Sequence, residues 1–235
     1  MKKALDFAVK MGLLNANPIG FVQVPKIKKY DANYYTVEQL DNLITITKGT
    51  IIESAVYLTV HCGFRRGEIL GLRWQDIDFK EGVLKVRNTR TRVATNVEKR
   101  PKSESSIRTL PLIPRVNEYL KALKEQQEQD KNLYGNSYKE SDYVCRYEDG
   151  TPVNVNTINH VFKRILANNN MPHIRFHDLR HSTACYLIKN GSNLKDIQVW
   201  LGHSDISITA NIYAHVDAEM KRNTATKIDE LFKAV

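Results

Sequence analysis

The chain has 235 residues, 42% of them hydrophobic, with a formal net charge of +9 and an isoelectric point near 9.4. That length can bury a real core, no apolar run approaches the roughly 20 residues of a membrane span, and the lysine-bearing start lacks the apolar stretch of a signal peptide. Three cysteines in no paired spacing argue against a disulfide framework and fit a reducing cytoplasm, while the basic balance points towards a polyanion.

In chain order, residues 2–14 place Leu5, Ala8, Val9 and Leu13 on one helical face, with Asn17-Pro18 as the stop. A lone amphipathic helix has nothing to bury against. Residues 1–33 therefore read as the tail of a preceding domain plus a basic linker carrying Lys26, Lys28 and Lys29. Thr36-Val37-Glu38-Gln39 has the pattern of a capping box, so the main domain is expected to open near Tyr34. Residues 51–62 and 66–72 read as helices broken at Cys62-Gly63. Short β-type segments at 83–87 and 107–112 flank a polar stretch with Arg87, Arg90, Arg92, Lys99, Arg100 and Lys102, predicting a hairpin or three-stranded antiparallel sheet. Pro114 opens an exposed helix to about Lys131, and from Asn156 onward the spacing is helical, broken at 168–170, Gly191 and Gly202. The expected fold class is mostly α with a small antiparallel β-sheet (α+β).

Chemistry concentrates near the C-terminus. Phe176-His177-Asp178-Leu179-Arg180-His181 is followed by Leu201-Gly202-His203 and then by Tyr213. A guanidinium beside two imidazoles can hold a phosphodiester and move protons around it, and a phenol just downstream can attack its phosphorus. His177 and Arg180, three apart, share one face of a helix. His177, His181 and Cys185 also recur every four residues, a spacing that can hold zinc; against this, Arg180 would add positive charge beside the metal and no Glu follows His177. No metal is assigned.

Three ordered motifs carry a resemblance. They are the run from Gly63 to Trp74, GFRRGEILGLRW, with Asp76-Ile77-Asp78; then His177-Asp178-Leu179-Arg180-His181; then Leu201-Gly202-His203-Ser204 through Ile212-Tyr213-Ala214-His215. In these the chain resembles the catalytic domain of tyrosine recombinases, the phage-integrase family that includes integrases of conjugative transposons. The resemblance implies a catalytic domain over 34–216, a remnant of a core-binding domain with its linker over 1–33, and a C-terminal helix over 217–235 that is exchanged between protomers or caps its own core. It implies Arg65 and Arg180 on the scissile phosphate, His177 and His203 hydrogen bonding to it or moving protons, and Tyr213 as the nucleophile. Glu68 is expected to orient Arg65. A hairpin lysine that protonates the leaving 5′-oxygen is assigned to Lys102; Glu104 stands where a second lysine is common, which keeps Lys99 as the alternative.

The activity so implied is site-specific DNA recombination through a 3′-phosphotyrosine intermediate, without cofactor or metal, serving integration and excision of a mobile element. Double-stranded DNA and a homo-tetramer on paired sites are the implied partners, with a monomer when DNA is absent. Lys26, Lys28, Lys29, Arg87, Arg90, Arg92, Lys99 and Arg100 are expected to contact phosphates. Two other readings share these residues: a type IB topoisomerase-like enzyme, and an idle DNA-binding regulator on the same fold.

Overall fold

The computed structural model describes residues 1–22, 34–93, 95–99 and 107–203 and isolated positions from 221 to 232, with 91–93 and 95–99 described by backbone alone. The chain divides into two compact units, Met1–Asp31 and Ala32–Val235. In the first, α1 (Lys2–Lys10) is shorter than the apolar spacing predicts, and Leu13 is 76% exposed. Asn17 does not stop this helix. Its side chain caps a 3-10 turn at Pro18–Phe21 by accepting the Ile19 amide N–H at 3.0 Å, and its own amide donates to Asp6 Oδ1 at 2.6 Å. An Asn before a proline is better suited to starting a turn than to ending a helix.

The second unit opens at α2 (Val37–Thr47), where the capping box forms: Thr36 Oγ1 accepts the Gln39 amide N–H, and Gln39 Oε1 accepts that of Thr36. Just before it, the Tyr35 amide donates to Ser182 Oγ at 3.0 Å, anchoring this end to a helix 147 residues away. Helix α3 (Glu53–Cys62) runs through the core, burying Ala55, Val56, Leu58, Thr59 and Cys62. It ends at Gly63, whose φ of 68° is left-handed. An ideal Cβ there would lie 2.3 Å from Leu201 Cδ2, a buried side chain. Gly63→Ala therefore meets both backbone strain and a clash, and is expected to cost about 2–4 kcal/mol, read as a lowered denaturant midpoint. The short α4 (Arg66–Leu70) follows.

Strands β1 (Ile77–Asp78), β2 (Val83–Val86) and β5 (Arg108–Pro111) form an antiparallel sheet in the order β1-β2-β5, with Leu84 opposite Leu110 and Val86 opposite Arg108. Leu84, Val86 and Leu110 are buried while Lys85 and Thr109 are exposed, the alternation a half-buried sheet requires. A second ladder, β3 (Thr89–Val93) with β4 (Thr95–Lys99), was not foreseen. Its run Thr-Arg-Thr-Arg-Val lacks an apolar face, leaving β-branched residues as the only signal.

Helix α5 (Pro114–Tyr134) begins at the predicted proline and outlasts Lys131 by three residues. It buries Val116, Leu120 and Gln127, and Gln127 accepts from Trp74 Nε1 at 3.0 Å while donating to the Val144 carbonyl at 2.9 Å. Helices α6 (Val155–Asn168), α7 (Asp178–Lys189) and α8 (Leu194–Leu201) follow. A small cluster of Ala184, Cys185, Ile188, Ile197 and Leu201 welds α7 to α8. Among the described residues no helix is long and apolar enough to cross a membrane.

Candidate active site

Glu68 organises the site. It is the third residue of α4 and 3% exposed, and its Oε2 accepts the amide N–H of Arg65 at 3.0 Å, satisfying one of the helix's free donors. Its other oxygen accepts Arg65 Nη1 at 2.6 Å. Arg108 Nη2 lies 3.1 Å from Oε2, and Arg180 Nη1 is 3.7 Å from it. Three guanidiniums thus surround one carboxylate, a formal balance of +3 − 1 = +2. Burial pushes the Glu68 carboxyl up, but the charges of Arg108, Arg180 and Arg65 and the hydrogen bond from Arg108 outweigh it and hold it below its usual value.

Peptide carbonyls aim the arginines. Arg180, 2% exposed on the first turn of α7, donates through Nη1 to the Gly63 carbonyl at 2.8 Å and through Nη2 to that of Leu201 at 2.6 Å. Arg65 Nη2 donates to the Gly202 carbonyl at 2.8 Å, and its side chain stays 32% exposed. These carbonyls are available because the chain reverses at Gly63 after α3 and at Gly202 after α8, the latter at φ 67°. Burial, with the charge of Arg65 beside it, lowers Arg180 to about 9, which leaves it a cation at neutral pH.

The histidines sit on the same charges. His177 is the N-cap of α7, three residues before Arg180, and burial followed by the charge of Arg180 lowers its pKa. His203 follows Gly202, is 7% exposed, and is fixed in its main chain by Gln198, which accepts its amide N–H and donates to its carbonyl. Burial, then Arg180, Arg65, His177 and Arg108, push His203 down to about 3. Both rings are neutral at pH 7, each able to donate one hydrogen bond and accept another. A cleft of about 680 Å³ opens beside Arg65 and His177, lined also by Arg66, Lys163, His173 and Arg175.

The structure therefore gathers Arg65, Glu68, His177, Arg180 and His203. Tyr213, Lys102, Arg100, Lys26, Lys28 and Lys29 lie outside the described residues, as do the side chains of Arg92 and Lys99. Arg90 is a correction to the expected DNA contacts. It is 6% exposed, donates to the Val153 carbonyl, and stacks 4.6 Å from the Tyr143 ring centroid, so its guanidinium is spent inside the fold. Arg87 stays half exposed but is paired with Asp76 at 2.5 Å. Cys185 belongs to the α7–α8 cluster, and no three described His, Cys, Asp or Glu side chains are grouped to hold a metal ion.

A comparison with protein families matches residues 33–220 to the Phage integrase family. The chain belongs to that family. Similar relatives of this phage-integrase chain include a "Tyrosine recombinase XerC-like" protein of Caldanaerobacter subterraneus, 32% identical over 99% of this chain, and the "ICEBs1 integrase" of Bacillus subtilis, 27% identical over 98%. The chain spans 64% and 63% of the length of those two relatives. In fold it is similar to the Tn1549 transposon integrase solved in complex with transposon right end DNA, with a TM-score of 0.75 at 22% identity, covering 94% of this chain and 76% of that one.

Within this phage-integrase site, sequence reasoning missed Arg108 and the basic lining of the cleft. Arg108 had a readable signal: it precedes Leu110 by two residues, which puts an arginine on the core-facing phase of a strand. Such a placement is costly unless a buried carboxylate awaits it.

Proposed function

We propose that this chain carries the strand-cleaving and rejoining chemistry of a site-specific DNA recombinase acting on a mobile element. The observation that carries the reading is the +2 cluster built on one carboxylate. A phosphodiester carries one negative charge and its pentacoordinate transition state two, so preorganised guanidiniums stabilise the transition state more than the ground state.

In this reading Tyr213 Oη attacks the scissile phosphorus as the bond from phosphorus to the 5′-oxygen breaks. His177, neutral at pH 7, accepts the phenol proton, Lys102 protonates the departing 5′-oxygen, and His203 donates a hydrogen bond to a non-bridging oxygen. The product is a 3′-phosphotyrosine and a free 5′-hydroxyl. A 5′-hydroxyl from a second duplex reverses the steps and seals the strand. Bond energy is kept in the protein–DNA linkage, so the scheme needs no nucleotide and no metal.

Double-stranded DNA would enter along the cleft beside Arg65, where Arg66, Lys163 and Arg175 supply phosphate contacts; Arg87, Arg92, Lys99, Arg100, Lys26, Lys28 and Lys29 are kept as further phosphate contacts on the strength of the sequence alone. The known DNA complex of the Tn1549 integrase supports such a partner. We extend the reading to a tetramer on paired DNA joined by residues 217–235, and to a cytoplasmic location.

The decisive experiment offers a duplex nicked near candidate attachment sites. Wild-type protein is expected to become covalently joined to DNA with or without chelator, and Tyr213→Phe is not. An adduct formed by the Phe variant, or wild-type cleavage abolished by chelation, overturns the mechanism.

A further inference from the structure

We propose that Arg108 is a positioning residue of this site: gripping Glu68, it ties the strand that leaves the basic hairpin to the arginines that hold the phosphate. The inference rests on the recombinase reading for its consequence, but its geometry stands apart from that reading. Arg108 is the first residue of β5, and its side chain is 7% exposed. Its Nη2 meets Glu68, while the buried Nε and Nη1 have no hydrogen-bond partner among the described residues. Its guanidinium carbon lies 5.8 Å from the Phe64 ring centroid, next to the Gly63 turn that receives Arg180. An apolar residue would fill this position at less cost in desolvation, so the charge is retained for what it holds.

What it holds is one orientation of Glu68. Arg65 and Arg180 are each anchored on peptide carbonyls as well as on Glu68, whereas among the described residues the hydrogen bond of the Arg108 guanidinium goes to Glu68 alone. The Arg108 contact fixes Oε2 where it accepts the Arg65 amide, which leaves Oε1 to set the plane of the Arg65 fork. Lys102 lies six residues upstream of Arg108 (108 − 102 = 6) on the same segment. A single buried ion pair thus links the segment carrying that lysine to the phosphate-facing arginines. The charged and titratable groups around this pair are Arg65 on the approach to α4, Arg180 and His177 on α7, His203 after α8, and the Cys62 thiol of α3. Arg90 of β3 is turned away, towards Val153 and Tyr143.

The test uses the full chain with Arg108→Met and Arg108→Lys. Arg108→Met is expected to slow adduct formation on the nicked duplex by about 100-fold, the scale of a misplaced catalytic fork, with DNA affinity changed less than about 2-fold. Arg108→Lys restores part of the rate. In a Glu68→Gln background, Arg108→Met is expected to add less than about a further 2-fold, because both act through one contact. Carbon-13 NMR of the Glu68 carboxyl supplies a readout independent of activity: its titration midpoint rises in Arg108→Met. That shift is expected even if no substrate is ever cleaved, which separates failure of this inference from failure of the recombinase reading. An unmoved Glu68 midpoint, losses that multiply in the double variant, or a rate loss matched by equal losses in affinity and melting temperature each overturn it.

Discussion

Replacing Arg180 with lysine is expected to lower strand cleavage by about 100- to 1000-fold although the charge is kept. The guanidinium is a rigid fork, and here its two ends are committed to the Gly63 and Leu201 carbonyls, with the Gly63-bound nitrogen also 3.7 Å from Glu68. An ammonium is a single point of charge on a flexible stem and cannot reach both carbonyls in that geometry. At least one buried carbonyl loses its donor, costing about 1–3 kcal/mol, and the turns after α3 and α8 lose their shared tie. Since Arg65 leans on Gly202, the neighbour of Leu201, its aim is disturbed as well. Single-turnover adduct formation and a denaturant melt measure the two losses. A lysine variant cleaving at the wild-type rate would show that charge alone is what position 180 supplies.

Acidification is the second large effect. His203 titrates at about 3 in the folded chain against 6.5 for a free imidazole, and His177 and His61 are also lowered. The unfolded chain then binds more protons than the folded one between those values. Stability is highest above pH 6.5 and falls as pH drops from there towards 3. For His203 the difference amounts to on the order of 5 kcal/mol across that window. Glu68 acts in the same direction at lower pH, since a depressed carboxyl loses its contribution as pH falls below its free value of 4.5. Denaturant midpoints at pH 7, 5.5 and 4.5 are expected to decline steeply, and His203→Gln should flatten the decline. A variant with the wild-type slope would remove His203 as its source.

Much of the fold was legible because local chemistry and tertiary position agree. The Thr36 capping box, the break at Gly63, the helix start at Pro114 and the helices after Val155 each have a short-range cause. What escaped was set by distant partners. The β3–β4 ladder has no apolar face to announce it, and α1 ends before its apolar pattern does. Arg90 and Arg108 look alike in sequence, two arginines of a basic region. One is consumed by Tyr143 and the Val153 carbonyl, the other by Glu68. Only the fold supplies partners 40 to 63 residues away, so charge clustering alone could not separate a surface contact from an interior one.

The grip of Arg65 and Arg180 on the carbonyls of Gly63, Leu201 and Gly202 has an evolutionary corollary. A carbonyl is the same atom whichever amino acid bears it. Provided the two turns are inherited, most surrounding side chains can drift without moving the arginines, and the site tolerates divergence that would dismantle one held by side-chain partners alone. Glu68 is the exception, so lineages that lose that carboxylate should be the ones that lose cleavage.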